Sequence, residues 1–264
     1  MKVGFASTSV WKMSPVPGIL FAKELDVYSF ELWADHYFMN SDSTVEIQKA
    51  FEETGIVPTV HAASWDLNIT SISGEVRRFS MRQVRRSIDL AHEIGARSIT
   101  IHPGKKSFVR EDRREVSVMQ REVFHELFLY GREKDVTVLI ENIEDTGKEV
   151  MVGEQDFIDF FSGNDDELLI TMDVAHLGDV KKVVSFYTAL RDRIRHIHIS
   201  DLNRHEIHIP MGEGMLQTRE ILTFLKGSYS GIFCLEVYWN DAGGEGLKKS
   251  IQHLREISEL IGYE

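Results

Sequence analysis

Leu168-Leu169-Ile170-Thr171-Met172-Asp173-Val174-Ala175-His176 reads as a short apolar strand that closes on a carboxylate, with an imidazole three residues further on. An ionisable group at the end of a buried strand is costly unless it meets a partner. The same shape recurs along the chain: Pro58-Thr59-Val60-His61, Ile99-Thr100-Ile101-His102, Val138-Leu139-Ile140-Glu141-Asn142, His196-Ile197-His198 and Phe233-Cys234-Leu235-Glu236. With two further apolar runs, eight strands are predicted: Lys2–Ala6, Val27–Leu32, Val57–His61, Ser98–His102, Val136–Glu141, Leu168–Asp173, Ile194–His198 and Ile232–Val237. They are separated by roughly 25–40 residues, the length of one βα unit.

The stretches between them carry helical periodicity. Phe79, Met81, Val84, Ile88, Leu90, Ala91 and Ile94 mark one apolar face, and Gly95 follows where a helix-terminating glycine is expected. Glu115–Tyr130 and Leu247–Ile261 are spaced alike. Strand and helix alternating throughout implies a parallel sheet covered by helices, and eight repeats imply closure. No Pro- or Ser-rich linker interrupts the pattern, so residues 1–264 are expected to form one α/β domain, a single (β/α)8 TIM barrel.

Composition narrows the function classes. The chain has 42% hydrophobic and 27% charged residues, too apolar for a disordered chain, and its one cysteine, Cys234, excludes an intramolecular disulfide framework. No run approaches the ~20 apolar residues of a membrane helix. Residues 1–9 lack the apolar core and cleavage site of a secretory signal, so a cytoplasmic protein without membrane partners is expected. The net charge of −12 argues mildly against a nucleic-acid partner, an argument that a bound divalent ion would weaken. A homo-oligomer is compatible with the sequence.

In a barrel the C-terminal strand ends converge on one face. Glu141, Asp173, Glu236, His61, His102, His176 and His198 are therefore expected in one cup. Carboxylates gathered there would repel one another, and a shared cation removes that cost. Mixed His and Asp/Glu donors suit Zn, Mn, Fe or Co better than Ca or Mg. Taken singly, a strand-end His reads as a satisfied structural histidine and a strand-end Glu as half of an ion pair; the collective pattern points to metal. His36, His92, His125 and His253 fall outside this face and read as surface or packing residues. His196 shares a strand face with His198 one layer deeper, as a barrel-interior hydrogen bonder. In the polar segment 203–214, Glu206 and His208 flank Ile207. Extended backbone would point both the same way, completing another metal shell, whereas the plainer reading is a solvated loop.

At these residues the sequence resembles the xylose isomerase-like barrel superfamily of sugar isomerases, sugar epimerases and endonuclease IV. The resemblance implies one catalytic divalent ion held by Glu141, Asp173, His198 and Glu236, with Glu141 and Glu236 as base and acid. Its Asp-x-x-His motif matches Asp173 and His176. The stretch His198-Ile199-Ser200-Asp201-Leu202-Asn203-Arg204 is similar to a ketose epimerase pattern that makes Arg204 a substrate contact. The segment 61–70, with Trp65 and Asn68, resembles a motif of sugar isomerase-like members, and implies that Trp65, Asn68 and His176 face substrate. The sequence is also similar to endonuclease IV, whose three zinc ions would engage His61, His102, His176, Glu206 and His208 as well, with Glu206 standing where that family has Asp.

Two chemistries follow for one cup, each with one to three divalent ions, Zn or Mn foremost. The leading expectation is an isomerase or epimerase that transfers a proton through a metal-stabilised enediolate of a small sugar-like substrate. Trp11, Phe30, Trp33, Trp65 and Trp239 are candidates to stack on it. The alternatives are an abasic-site endonuclease, the one reading with a nucleic-acid partner, a dehydroshikimate dehydratase-like lyase, and a barrel that only binds or scaffolds. The nuclease needs cations to grip phosphates, and Lys105, Lys106, Arg110, Arg113 and Arg114 follow the fourth strand. Interleaved Glu111, Asp112 and Glu115 make that run read more simply as a solvated helix start.

Overall fold

The computed structural model describes residues 1–162, 166–238 and 244–263. Eight parallel strands close into a barrel: β1 (Lys2–Ala6), β2 (Ser29–Trp33), β3 (Val57–His61), β4 (Ser98–Ile101), β5 (Thr137–Glu141), β6 (Leu169–Asp173), β7 (Ile194–Ile199) and, last in the ring, β10 (Ile232–Leu235). An antiparallel pair, β8 (Asp201–Leu202) and β9 (Ile207–Ile209), stands after β7. The ring closes where β10 pairs with both β7 and β1. The barrel is thus the (β/α)8 architecture expected from the alternation.

Strand ends differ from the sequence expectation by a residue or two. The second strand runs Ser29–Trp33 rather than Val27–Leu32, and β4 and β10 stop at Ile101 and Leu235. His102 and Glu236 therefore sit just past the last ladder residues, where the backbone leaves the sheet for the loops above it.

The helices are α1 (Pro15–Glu24), α2 (Ala34–Phe38), α3 (Thr44–Thr54), α4 (Gly74–Glu93), α5 (Arg113–Glu133), α6 (Glu154–Phe161), α7 (Val174–Leu177), α8 (Val180–Leu190), α9 (Thr218–Leu225) and α10 (Glu245–Ile261). Most of the face expected on α4 is buried, with Met81, Val84, Ile88, Leu90 and Ala91 inside, but Phe79, at its start, is exposed. The helix starts earlier than its apolar periodicity, at Gly74, because its first turn is solvated. Gly95 adopts φ 78°, and its amide bonds back to His92 O. Ser43 and Glu46 form a reciprocal cap that fixes the start of α3.

Phe5 and Phe30 meet edge to face at 5.3 Å within the core. At Gly4, opposite Ser29, an added Cβ would lie 2.7 Å from the Ser29 carbonyl oxygen, so β1 and β2 approach there only because the side chain is missing. At the opposite end from the cup, the Met1 amino group donates to Tyr263 O at 3.4 Å. Among the described residues no helix is long and apolar enough to cross a membrane.

Candidate metal centre

Glu141 ends β5, Asp173 ends β6, His198 lies near the end of β7 and Glu236 follows β10. All four are buried, and one donor atom from each lies within 4.8 Å of the others. His198 Nδ1 is 2.7 Å from Glu141 Oε1, 2.9 Å from Glu236 Oε2 and 3.9 Å from Asp173 Oδ2. Local bonds aim these groups. The Asn142 side chain donates to Asp173 O and accepts from Asp173 N, at 2.9 and 2.8 Å, locking the ends of β5 and β6 together. Asp173 Oδ1 accepts from His176 N at the start of α7, which leaves Oδ2 to the cup. Tyr238, which the sequence reading passed over, donates its hydroxyl to Glu236 Oε1 at 2.6 Å.

Two further donor groups flank this centre. His61 and His102 bring Nε2 to 3.2 and 3.1 Å from Glu141 Oε2. The His61 Nδ1 bonds to Ala62 O, and its ring stacks on Trp33 at 3.9 Å. On the other side, His176 Nε2 and His208 Nε2 face each other at 3.2 Å beside Asp173. Their Nδ1 atoms are occupied, by Asn142 O at 2.8 Å and by Ser200 Oγ at 3.0 Å. Two lone pairs cannot face each other at that distance without a proton or a cation between them. Glu144 Oε2, also unforeseen, comes within 3.2 Å of His176 Nε2.

The electrostatics describe a cluster held together by protons when no cation is present. Burial raises Asp173, and Glu236 and Glu141 add to it against the neighbouring imidazoles, so its pKa is pushed up to about 7. Burial would lower His198, but Glu31, Glu141 and Glu236 outweigh it and hold the ring well above its ordinary value. Burial drives His208 down to about 4. Asp173 Oδ2 and Glu236 Oε2 are buried without a hydrogen-bond donor. Buried carboxylate oxygens in want of positive charge, beside imidazole nitrogens, fit a divalent transition-type ion.

Other expected residues fall elsewhere. Glu206 is exposed and belongs to none of these groups, which corrects its assignment to a metal shell. The alternation that paired it with His208 assumes extended backbone, whereas His208 has φ 60°. Arg204, expected to touch substrate, is exposed at the β8–β9 turn and does not line the cleft above the centre. That cleft is lined by Trp33, Trp65, Asn68, His102, Lys105 and Tyr238, among others. The Asn68 side chain is spent on the loop, donating to Lys105 O and accepting from Thr70 N. Trp11 stacks on His36, Phe30 is in the core, and Trp239 lies outside the described residues. His196 is in the barrel interior as expected, but its partner, Glu31 of β2, was not foreseen: it lies 3.0 Å from His196 Nε2 and from His198 Nε2. Two of the five cations after β4 are engaged locally, Lys106 with Val109 O and Arg113 with Val150 O and Asp156.

A family model described as a xylose isomerase-like TIM barrel matches residues 19–257, and the chain belongs to that family. Two uncharacterized proteins of Methanocaldococcus jannaschii are 23% identical over 90% of this chain and 88% of theirs, and 26% identical over 82% of each. Among solved structures, a D-tagatose 3-epimerase-like protein superposes with TM-score 0.86 at 21% identity, covering 99% of this chain and 98% of that one. The 3-keto-D-glucoside 4-epimerase of E. coli superposes with TM-score 0.82 at 18% identity, over 97% and 99%. At such identities the likeness is one of fold.

Proposed function

We propose that this member of the xylose isomerase-like TIM barrel family is a divalent-metal-dependent isomerase or epimerase of a sugar or related polyhydroxylated carbonyl compound. One observation carries the reading: two carboxylates from distant strands, Glu141 and Glu236, close on the same His198 nitrogen at 2.7 and 2.9 Å beside Asp173. Glu141, Asp173, His198 and Glu236 would hold the ion, Zn or Mn by donor type. A bound ion of this kind supplies Lewis acidity, polarising a carbonyl so that the neighbouring carbon gives up its proton more readily. Glu141 and Glu236 then serve as the base that removes that proton and the acid that returns one. Tyr238 steadies Glu236 through its hydroxyl. Trp65 offers an exposed apolar face in the cleft suited to a sugar's C–H surface, whereas Trp33 is buried against His61 beneath it. The epimerases of the same fold named above agree with this chemistry.

A second reading, an endonuclease IV-like phosphodiesterase, is favoured by the two flanking groups, His61/His102/Glu141 and Asp173/His176/His208. Against it stand the exposed Glu206 and the local engagement of Lys106 and Arg113. The deciding experiment reconstitutes the protein with Zn or Mn, counts the ions, and assays a ketose panel and an abasic-site duplex side by side. Epimerised sugar with intact duplex is the expected result; duplex cleavage with no sugar converted would overturn it. In the same assay Glu236→Gln should lose at least about a hundredfold in turnover, the scale of an acid–base group.

A further inference from the structure

Below the centre, in the barrel interior, Glu31 is buried with each of its two oxygens within ion-pair distance of a different imidazole, while Oε1 and both Nε2 atoms lack an aligned hydrogen-bond partner. Oε1 lies 3.0 Å from His198 Nε2, and Oε2 lies 3.0 Å from His196 Nε2 and 3.5 Å from the Thr59 hydroxyl. His198 thus stands between two sets of carboxylates, with Nε2 against Glu31 and Nδ1 against Glu141 and Glu236. Carboxylates only accept, so with acceptors on both sides the ring carries a proton on each nitrogen until a cation takes the place of the Nδ1 proton; the Nε2 proton then stays with Glu31 and the Nδ1 lone pair is left to the ion. Imidazoles that bind metal are commonly set in this way by a carboxylate on their other nitrogen.

We propose that Glu31 is the positioning residue of the metal centre, holding the Nε2 proton of His198 so that the Nδ1 lone pair points at Glu141, Asp173 and Glu236. The inference rests on the metal-centre reading above. His196 completes the device: its Nε2 stands 3.0 Å from the second Glu31 oxygen, which also accepts from the Thr59 hydroxyl at 3.5 Å. Glu31 touches no cup atom other than His198 among the contacts described, so its effect passes through that ring. The Cys234 thiol is the fourth member of this inner group, and all four donor atoms lie within 4.8 Å of one another. The inner group could therefore hold an ion of its own with a sulfur ligand, the outcome most damaging to the proposal.

The test uses the whole chain labelled with ¹⁵N-histidine and loaded with Zn. Long-range ¹H–¹⁵N spectra of the wild type should show His198 protonated at Nε2 and metal-bound at Nδ1. Competition against a chromophoric chelator should show Glu31→Gln, nearly isosteric, binding Zn about 10–100-fold more weakly. Glu31→Asp, which keeps the charge and shortens the arm, should recover little of that loss. Unaltered affinity in Glu31→Gln, or a His198 ring protonated at Nδ1, overturns the proposal. So does thiolate-to-metal absorption in the Co-loaded wild type, since it would place an ion on Cys234. If the wild type takes up no ion at all, the metal-centre reading itself fails, and that result is told apart from the others by metal content alone. The wild-type spectrum does not depend on how any variant folds.

Discussion

His61 offers the sharpest division between the two chemistries. It touches Glu141 Oε2 but is not one of the four clustered residues Glu141, Asp173, His198 and Glu236. His61→Ala should leave one ion bound at Glu141, Asp173, His198 and Glu236 and preserve epimerisation within about tenfold, measured by kcat/KM and metal content. A loss of all activity together with an ion would favour the multi-metal hydrolase. His36 tests burial instead. It is packed against Trp11 with centroids 4.4 Å apart, and desolvation lowers its pKa. A histidine depressed in the folded state adds stability above its unfolded pKa of about 6.5, and that stability is lost as pH falls below it. His36→Gln should therefore show a shallower fall in Tm than the wild type between about pH 7 and pH 5; parallel slopes would refute the assignment. Among single residues, the strand-closing donors were readable because an ionisable group after an apolar run is conspicuous. Glu31 was not, because it lies within its strand and its partners come from a strand 165 or more positions later in the chain. Nothing local in Ser29-Phe30-Glu31-Leu32 distinguishes a buried carboxylate with two imidazoles from an edge residue in a salt bridge.

Strand pairing sets the distances on which all of this depends, and Gly4 controls one of the pairings. Gly4→Ala would force its Cβ against both the hydroxyl and the carbonyl oxygen of Ser29. The expected cost is about 1–3 kcal/mol, read by urea denaturation. Changing Ser29 to Ala as well should recover only part of it, because the carbonyl stays. Elements were legible in kind because the repeating apolar runs and helical faces come from the same burial that the barrel enforces. Their ends were less so. The hairpin of β8 and β9 does not show in the polar stretch that holds it, which leaves extended backbone and solvated loop both open, since two and three residues are too few to show a period. Its backbone is organised by Asp201, whose carboxylate accepts from the amides of Leu202, Gly212, Gly214 and Leu216. That pattern is tertiary and left no trace in the periodicity. The left-handed His208 then aims its ring at His176, where extended backbone would have sent it alongside Glu206.

For the molecule as a whole, a cation in the cup would be a ligand of the folded state alone. At a free concentration of a hundred times its dissociation constant, it would stabilise the fold by about 2.7 kcal/mol. For a chain of this size that corresponds to about 5–10 °C in Tm. Dialysis against a chelator should lower Tm by that order, and Zn or Mn should restore it; a Tm indifferent to both would count against a resident ion.

The meeting of β1 with β10 has a practical corollary. A closed ring of strands has no mechanical beginning, and residues 1 and 263 adjoin on the floor of the barrel, across its full height from the donor groups. A tether, affinity handle or fusion partner joined near either residue would hang beneath the barrel, so that a tethered molecule would keep its mouth open to solution.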